Sequence, residues 1–182
     1  ASDVYKRQVC ELDSALQNQM NAEETLTFSI CVQKAGEIWN AIPDEAFFSG
    51  TSRYFSRPAG EKVLALIKKT CTNVADVHGC RVEFEPYTKV LMEPVINDQE
   101  VVEETAQKLT QMCGPQVLGE HGLWFASETF CKYLNKYPGA LGFLGIANPA
   151  LGSGAAHHNS RFDVDESALL LGVCAELSFA FR

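Results

Sequence analysis

Two of the chain's four histidines, His157 and His158, stand side by side in "AAHHNSRFDVDE", residues 155 to 166. A neutral imidazole is the commonest protein ligand for zinc and similar ions, and a loop that follows a buried strand lets a rigid sheet aim it. Side chains of adjacent residues diverge, so the pair cannot close a metal site without further ligands. The same pattern also suits a solvated or hydrogen-bonded loop. The other two imidazoles have structural readings. His78 falls at a helix end before Gly79, where a cation favours the dipole, and His121 sits in a Gly-flanked turn.

A second candidate pair lies in "GEIWNAIPDEAFFSGTSR", residues 36 to 53, with Asn40 in a breaker-rich loop and Arg53 thirteen residues further on in a strand pattern. A guanidinium offers a planar fork to a carboxylate, and an amide can bond a carbonyl. An arginine on a solvated sheet face would look the same. Glu128 in "ASETF" could be a ligand or a base, although a carboxylate in the first turn of a helix commonly serves the dipole. The Gly-rich "LGSGAA" has neither the lysine nor the spacing of a phosphate loop, which argues against nucleotide binding.

Positioning these residues requires elements that the hydrophobic pattern supplies. Val9, Leu12, Leu16 and Gln19 mark a helix from Val9 to Met20, and "ETLTFSICVQ" alternates as a half-buried strand with Leu26, Phe28, Ile30 and Val32 on one side. Gly36 and Pro43 break the chain before a second strand, "EAFFSGTSRYF", expected to pair antiparallel with the first and weakened at Gly50. A helix from Ala59 to Val77 stops at Gly79, and "CRVEFEP" predicts a third strand with Val82 and Phe84 inward. Helix, strand, strand, helix, strand is a two-layer α/β order.

Beyond "EPVIND", residues 93 to 98, Asn97 and Glu100 look like a capping pair for a helix that ends at Gly114-Pro115. A short helix in "SETFCKYLNKY", an apolar strand in "ALGFLGI" and a terminal helix in "DESALLLGVCAELSFAFR" follow. Residues 147 to 164 between the last two form a loop long enough to suggest a functional role, and it holds the histidine pair. Two lobes meeting near residue 95 are expected. Residues 1 to 8, "ASDVYKRQ", fit no periodic pattern and are expected to be a non-native or disordered lead.

With 46% apolar residues the chain can bury a core, and a net charge of −8 argues against nucleic acid as a partner. No apolar run approaches membrane-span length and no basic-then-apolar leader opens the chain, so a soluble, cytoplasmic protein without a membrane partner is expected. Seven cysteines without a CxxC pair are expected to be reduced core residues.

Three stretches now become informative as an ordered set: "GEIWNAIPDEAFFSGTSRYFS", "SETFCKYLNKYPGALGFLGIANP" and "HHNSRFDVDESALLLG". From about Val9 to the C-terminus the chain resembles the amidohydrolase branch of the zinc metallopeptidase superfamily, which contains aminoacylase, hippurate hydrolase, auxin-conjugate hydrolases and carboxypeptidase G. The resemblance implies an α/β fold in which residues 9 to 95 are a ferredoxin-like lid and dimerisation domain with its first strand missing. Residues 96 to 182 would then be the C-terminal segment of a di-metal catalytic domain. It further implies a fragment of an enzyme that hydrolyses N-acyl amino acids or small peptides with a metal-activated water, using two divalent ions, zinc or manganese, per site.

By the same resemblance His158, three residues before Arg161-Phe162-Asp163, is the last metal ligand, with His157 as its neighbour. Asn40 and Arg53 would reach substrate, in some members across a homodimer. The general base would lie upstream, so the chain alone is expected to be inactive. Two features depart from the family pattern. Thr129 stands where the family usually carries an aspartate, which removes an acidic side chain near the cleft, and "GTSRYF" replaces the commoner "GTVRTF" but keeps Arg53. A non-catalytic dimerisation or binding module derived from the lid is the rival reading. A third is an unrelated α/β protein with a chance histidine pair.

Overall fold

The computed structural model of the protein describes residues 1–181. The chain forms two compact units, one comprising Ala1–Pro94 with Phe125–Thr129, the other Val95–Trp124 with the chain from Phe130 onward. Among the described residues, no helix is long and apolar enough to cross a membrane.

The first unit contains α1 (Ser2–Gln19), β1 (Leu26–Ala35), β2 (Ala46–Tyr54) and α2 (Arg57–Val77). Its core joins Leu16 of α1 to Val63 and Leu66 of α2, with Leu26 and Phe28 of β1 packed against them. Helix α1 begins seven residues before the expected start at Val9, so residues 2 to 8 belong to the fold rather than to a disordered lead. The reason is Gln8. It shares the buried stripe with Leu12 and Leu16, and its Nε2 donates 2.9 Å to the backbone oxygen of Cys71. A polar residue satisfied in this way occupies a core position while interrupting the apolar periodicity that would mark it.

The two strands pair antiparallel from Leu26↔Tyr54 to Ala35↔Ala46, as expected, but with an irregularity at Cys31. Ile30 opposes Gly50 and Val32 opposes Ser49, so Cys31 is an extra residue and the side-chain alternation shifts by one. Val32 consequently leaves the inward row and is 49% exposed. Gly50 makes the bulge possible, because a Cβ there would stand 2.1 Å from the carbonyl oxygen of Ser29.

The expected third strand does not form; among the described residues the sheet has two strands. Val82 and Phe84 are half-buried between exposed Arg81, Glu83 and Glu85, and the Phe84 ring lies under Lys68 Nζ of α2 at 5.7 Å. At Phe84 the half-buried position thus records contact with a helix side chain rather than a ladder. Beyond it, the Tyr54 hydroxyl donates 2.6 Å to the backbone oxygen of Met92, and Gly60 of α2 packs so closely that a Cβ would meet the Tyr54 ring at 2.6 Å. Tyr54→Phe should lower stability by about 1 kcal/mol. Urea titration should show a lower midpoint with an unchanged slope, and an unchanged midpoint would mean that this bond contributes nothing.

The second unit contains α3 (Gln99–Cys113), α4 (Cys131–Leu134) and α5 (Leu169–Ala180), with 3-10 turns at Pro115–Val117, Pro149–Leu151 and Glu166–Ala168. Asp98 caps α3, accepting 3.0 Å from the Val101 N–H, in place of the expected Asn97. The Asn97 amide instead brackets Leu141, donating 3.0 Å to its carbonyl and accepting 2.8 Å from its N–H. A side chain thus satisfies backbone groups that a strand partner would otherwise take, and "ALGFLGI" forms no strand. The short helix is reduced to α4, and the terminal helix forms as expected, with Arg182 outside the described residues.

Helices α3 and α5 pack together through small and polar groups. Ser178 is 1% exposed, donates 2.7 Å to the backbone oxygen of Cys174 and lies 3.3 Å from Met112 Sδ. The large apolar residues of α5 face out instead, with Leu170 71% exposed and Val173, Leu177 and Phe181 exposed beside it. The cysteines also depart from expectation. Cys71 and Cys131 are buried, and burial pushes the Cys71 thiol up to about 11, whereas Cys10 and Cys31 are exposed and Cys80, Cys113 and Cys174 are half-buried.

Candidate functional site

The β1–β2 hairpin carries Asn40 and Arg53 at opposite ends. Asn40 is exposed in the connecting loop, beside Trp39, which is 95% exposed. Arg53 opposes Thr27 near the far end of the sheet, seven residues beyond the start of β2 at Ala46. Along a strand that is roughly 24 Å. The structure therefore does not bring the two together, and a small molecule held at one end of this hairpin cannot touch both.

Arg53 is half-buried, and its Nη1 donates to the Ser127 hydroxyl. Ser127 lies in the segment 125–129 that belongs to the first unit, where Phe125 meets Phe55 edge-on at 5.1 Å. One of five guanidinium donors is thus committed to holding the side chain in place, and the rest of the fork can serve a carboxylate. Nothing in the sequence pattern flagged Ser127, because its partner is 74 residues away. Glu128, the next residue, accepts 3.3 Å from the Thr129 hydroxyl.

In the second unit the loop carrying His158 is tied at its stem. Asp165 Oδ2 accepts 2.7 Å from the Asn148 side-chain amide, and the Asp165 N–H donates 2.9 Å to the Ile146 carbonyl. Buried Ser153 closes the first half of the loop, accepting 2.7 Å from the Asn148 N–H and donating 3.2 Å to the Ile146 carbonyl. Asn148 before Pro149 and Asp165 before Glu166 each cap a 3-10 turn, so the clasp grows from two ordinary capping residues.

The hydrogen bond from Asn148, then those from Ser167, hold the Asp165 carboxyl below its usual range. A depressed folded-state value means that the contribution of the clasp is present above the ordinary carboxylate range and is lost as pH falls through the lowered one. Protection of the Asp165 amide from hydrogen exchange, taken relative to its intrinsic rate at each pH, should fall over that acid window, and Asp165→Asn should abolish the pH dependence of that protection. A flat profile in the parent protein would show that the carboxylate does not hold the stem.

The two neighbouring histidines have different surroundings. The His157 ring lies 5.2 Å from Phe162 and 6.2 Å from Trp124, and Trp124 meets Phe143 edge-on at 5.1 Å. His121 stacks on the other side of the array, 4.2 Å from Phe143, with Nδ1 2.7 Å from the Gly122 oxygen. His158 is exposed and has φ 61°, a left-handed backbone held by a non-glycine residue. Its turn is closed by Asn159, whose Oδ1 accepts 2.9 Å from the Arg161 N–H and whose carbonyl accepts 2.9 Å from the Phe162 N–H. His78 caps the end of α2, in keeping with its structural reading.

A zinc-type ion takes about four ligands, or three with a water. Among the described residues no group of three or more His, Cys, Asp or Glu side chains could hold an ion. The donor set around His158 therefore does not amount to a metal site among the described residues.

No family model matches the chain. Over 164 residues it is 26% identical to thermostable carboxypeptidase 1 of Saccharolobus solfataricus, an alignment covering 90% of this chain and 41% of that protein. It is 28% identical over 160 residues to N-acetylcysteine deacetylase of Bacillus subtilis, covering 87% of this chain and 39% of the relative. A solved structure described as a dinuclear metal binding peptidase from M20 family, also from Bacillus subtilis, shares the fold with a TM-score of 0.73 and 26% identity. That match covers 95% of this chain and 44% of the other. The chain thus spans about two-fifths of the length of the curated relatives it matches.

The chain is thus an α/β protein whose fold is similar to that of a dinuclear metal binding peptidase. Its homologues are amidohydrolases and carboxypeptidases of the M20 family.

Proposed function

We propose that this chain is the lid and the C-terminal catalytic segment of a metal-dependent amidohydrolase that cleaves the amide bond of N-acyl amino acids or small peptides. The observation that carries the reading is the clasped loop that presents His158, exposed and apart from its ring-packed neighbour, just ahead of Arg161-Phe162-Asp163. His158 would supply one ligand to a pair of divalent ions, zinc or manganese, and the ions would supply activation of a water for amide hydrolysis. The remaining ligands and the general base come from residues outside this chain.

Residues 9 to 95 are the lid and dimerisation domain, and residues 96 to 182 belong to the catalytic domain. Arg53, fixed by Ser127, holds the substrate carboxylate. Asn40, in the loop at the opposite end of the hairpin, serves a carbonyl in the site of a second copy, so the homodimer is part of the catalytic unit. The enzyme works in the cytoplasm, where seven free thiols stay reduced.

Metal analysis and an N-acyl-amino-acid hydrolysis assay on the intact protein test this reading. Hydrolysis that needs the ion and is absent from the 182-residue chain alone is the expected result. Turnover by this chain alone would overturn the assignment of the base and the other ligands. The single-ligand donor set also suits a non-catalytic binding module derived from the lid. A parent protein without ligand histidines and paired glutamates upstream would favour that alternative.

A further inference from the structure

On the outer face of the hairpin a cation and a pair of rings lie side by side. Arg53 and Phe55 flank Tyr54, the last residue of β2, so their side chains fall on one face of the strand. Tyr54 points the other way, toward Gly60 of α2 and the Met92 carbonyl. The returning segment 125–129 meets the outer pair in antiparallel order: Ser127 accepts the hydrogen bond from Arg53 Nη1, and Phe125 meets Phe55 edge-on at 5.1 Å. Phe55 is half-buried, whereas Phe125 is 41% exposed and still offers ring surface to a ligand. Among the described residues no ion pair involves Arg53. Side chains two residues apart on one face of a strand stand roughly 7 Å from each other. A single α-amino acid can bridge that interval, with its carboxylate at one end and a ring-sized side chain at the other.

We propose that Phe55 and Phe125 set the amino-acid preference of the site, taking the side chain of a substrate whose carboxylate Arg53 holds and favouring N-acyl derivatives of aromatic and other large apolar amino acids. The inference rests on the reading of Arg53 given above and adds what lies beside the carboxylate. A third ring extends an edge-to-face pair in the geometry the two phenylalanines already adopt. A glycine derivative would leave the ring surface wet, and an acidic side chain would bring a second charge against an apolar face without a partner. Ser127 is a positioning residue, since it fixes the guanidinium beside the rings.

The test is titration of the chain with N-acetyl-L-phenylalanine, N-acetylglycine and N-acetyl-L-phenylalaninamide, followed by NMR at the Arg53 Nε–H and the ring protons of Phe55 and Phe125. The phenylalanine acid should bind about tenfold more tightly than the glycine acid, the low end for an apolar side chain in a pocket because Phe125 is partly exposed. The amide, which has no carboxylate, should bind more weakly than the phenylalanine acid. Phe125→Ala should erase the preference and Phe125→Tyr should retain it, while Arg53→Gln should weaken both acids alike. No binding of either acid, equal binding of both, or a preference that survives Phe125→Ala would each overturn the proposal. The comparison of the three probes on the parent chain decides the point even if a variant folds poorly. Turnover by the intact protein tests the hydrolase reading separately: a binding preference without hydrolysis keeps this site and removes the reaction, and hydrolysis without a preference does the reverse.

Discussion

His158→Ala in the intact enzyme should remove one bound metal equivalent and lower kcat/KM by more than about 100-fold, since even residues that only support a ligand contribute 10- to 100-fold. Alanine takes the left-handed backbone at this position less readily than histidine does, so a change in the loop could mimic a lost ligand. His158→Gly and His158→Asn separate the two, because both residues accept that backbone. If the imidazole is the ligand, all three variants lose metal and activity alike. If backbone strain were responsible, the glycine variant would keep both. Unchanged metal content and rate in every variant would reduce the histidine to a loop feature, leaving the resemblance to inform the fold alone.

Gly50→Val should destabilise the first unit by about 3 kcal/mol or more, the upper range for overpacking. The clash is with backbone, not with a yielding side-chain tip: a Cβ at this position would stand 2.1 Å from the carbonyl oxygen of Ser29 and 3.0 Å from Ile30 Cα. Relief requires the bulge at Cys31 to open, which moves Leu26, Phe28 and Ile30 relative to β2 and loosens the core on α1 and α2. Gly79→Ala is the control. Its φ is +65° with open space around it, so only the backbone strain of roughly 1 kcal/mol applies. Equal urea midpoints for the two variants would show that the bulge is not fixed by close approach at Gly50.

The helices and the first hairpin were legible because burial imposed a period on their residues. Leu12 and Leu16, Val63 and Leu66, and Leu26 with Phe28 all point toward the core of the first unit. What escaped sequence reading came from polar side chains acting in place of backbone or apolar groups. Gln8 filled a core position of α1, and Asn97 took the backbone groups of Leu141 that a strand would have used. The alternation at Val82 and Phe84 was real but formed no strand, and the Phe84 ring meets Lys68 of α2 instead.

The candidate site divides along the same line. The type and place of His158, Asn40 and Arg53 could be read locally. The Ser127 contact, the distance between Asn40 and Arg53, and the Asn148–Asp165 clasp could not, since each depends on where the chain returns.

Helix α5 puts serine on its inner side and leucine on its outer side. In a cell, uncovered leucines of this kind engage the folding and degradation machinery, and the population that survives depends on how fast the stripe is covered. Where Leu170, Val173 and Leu177 stay uncovered, the abundance of this chain becomes a kinetic quantity, set by how fast that stripe is buried. The packing of the first unit, however tight, does not protect it from that competition.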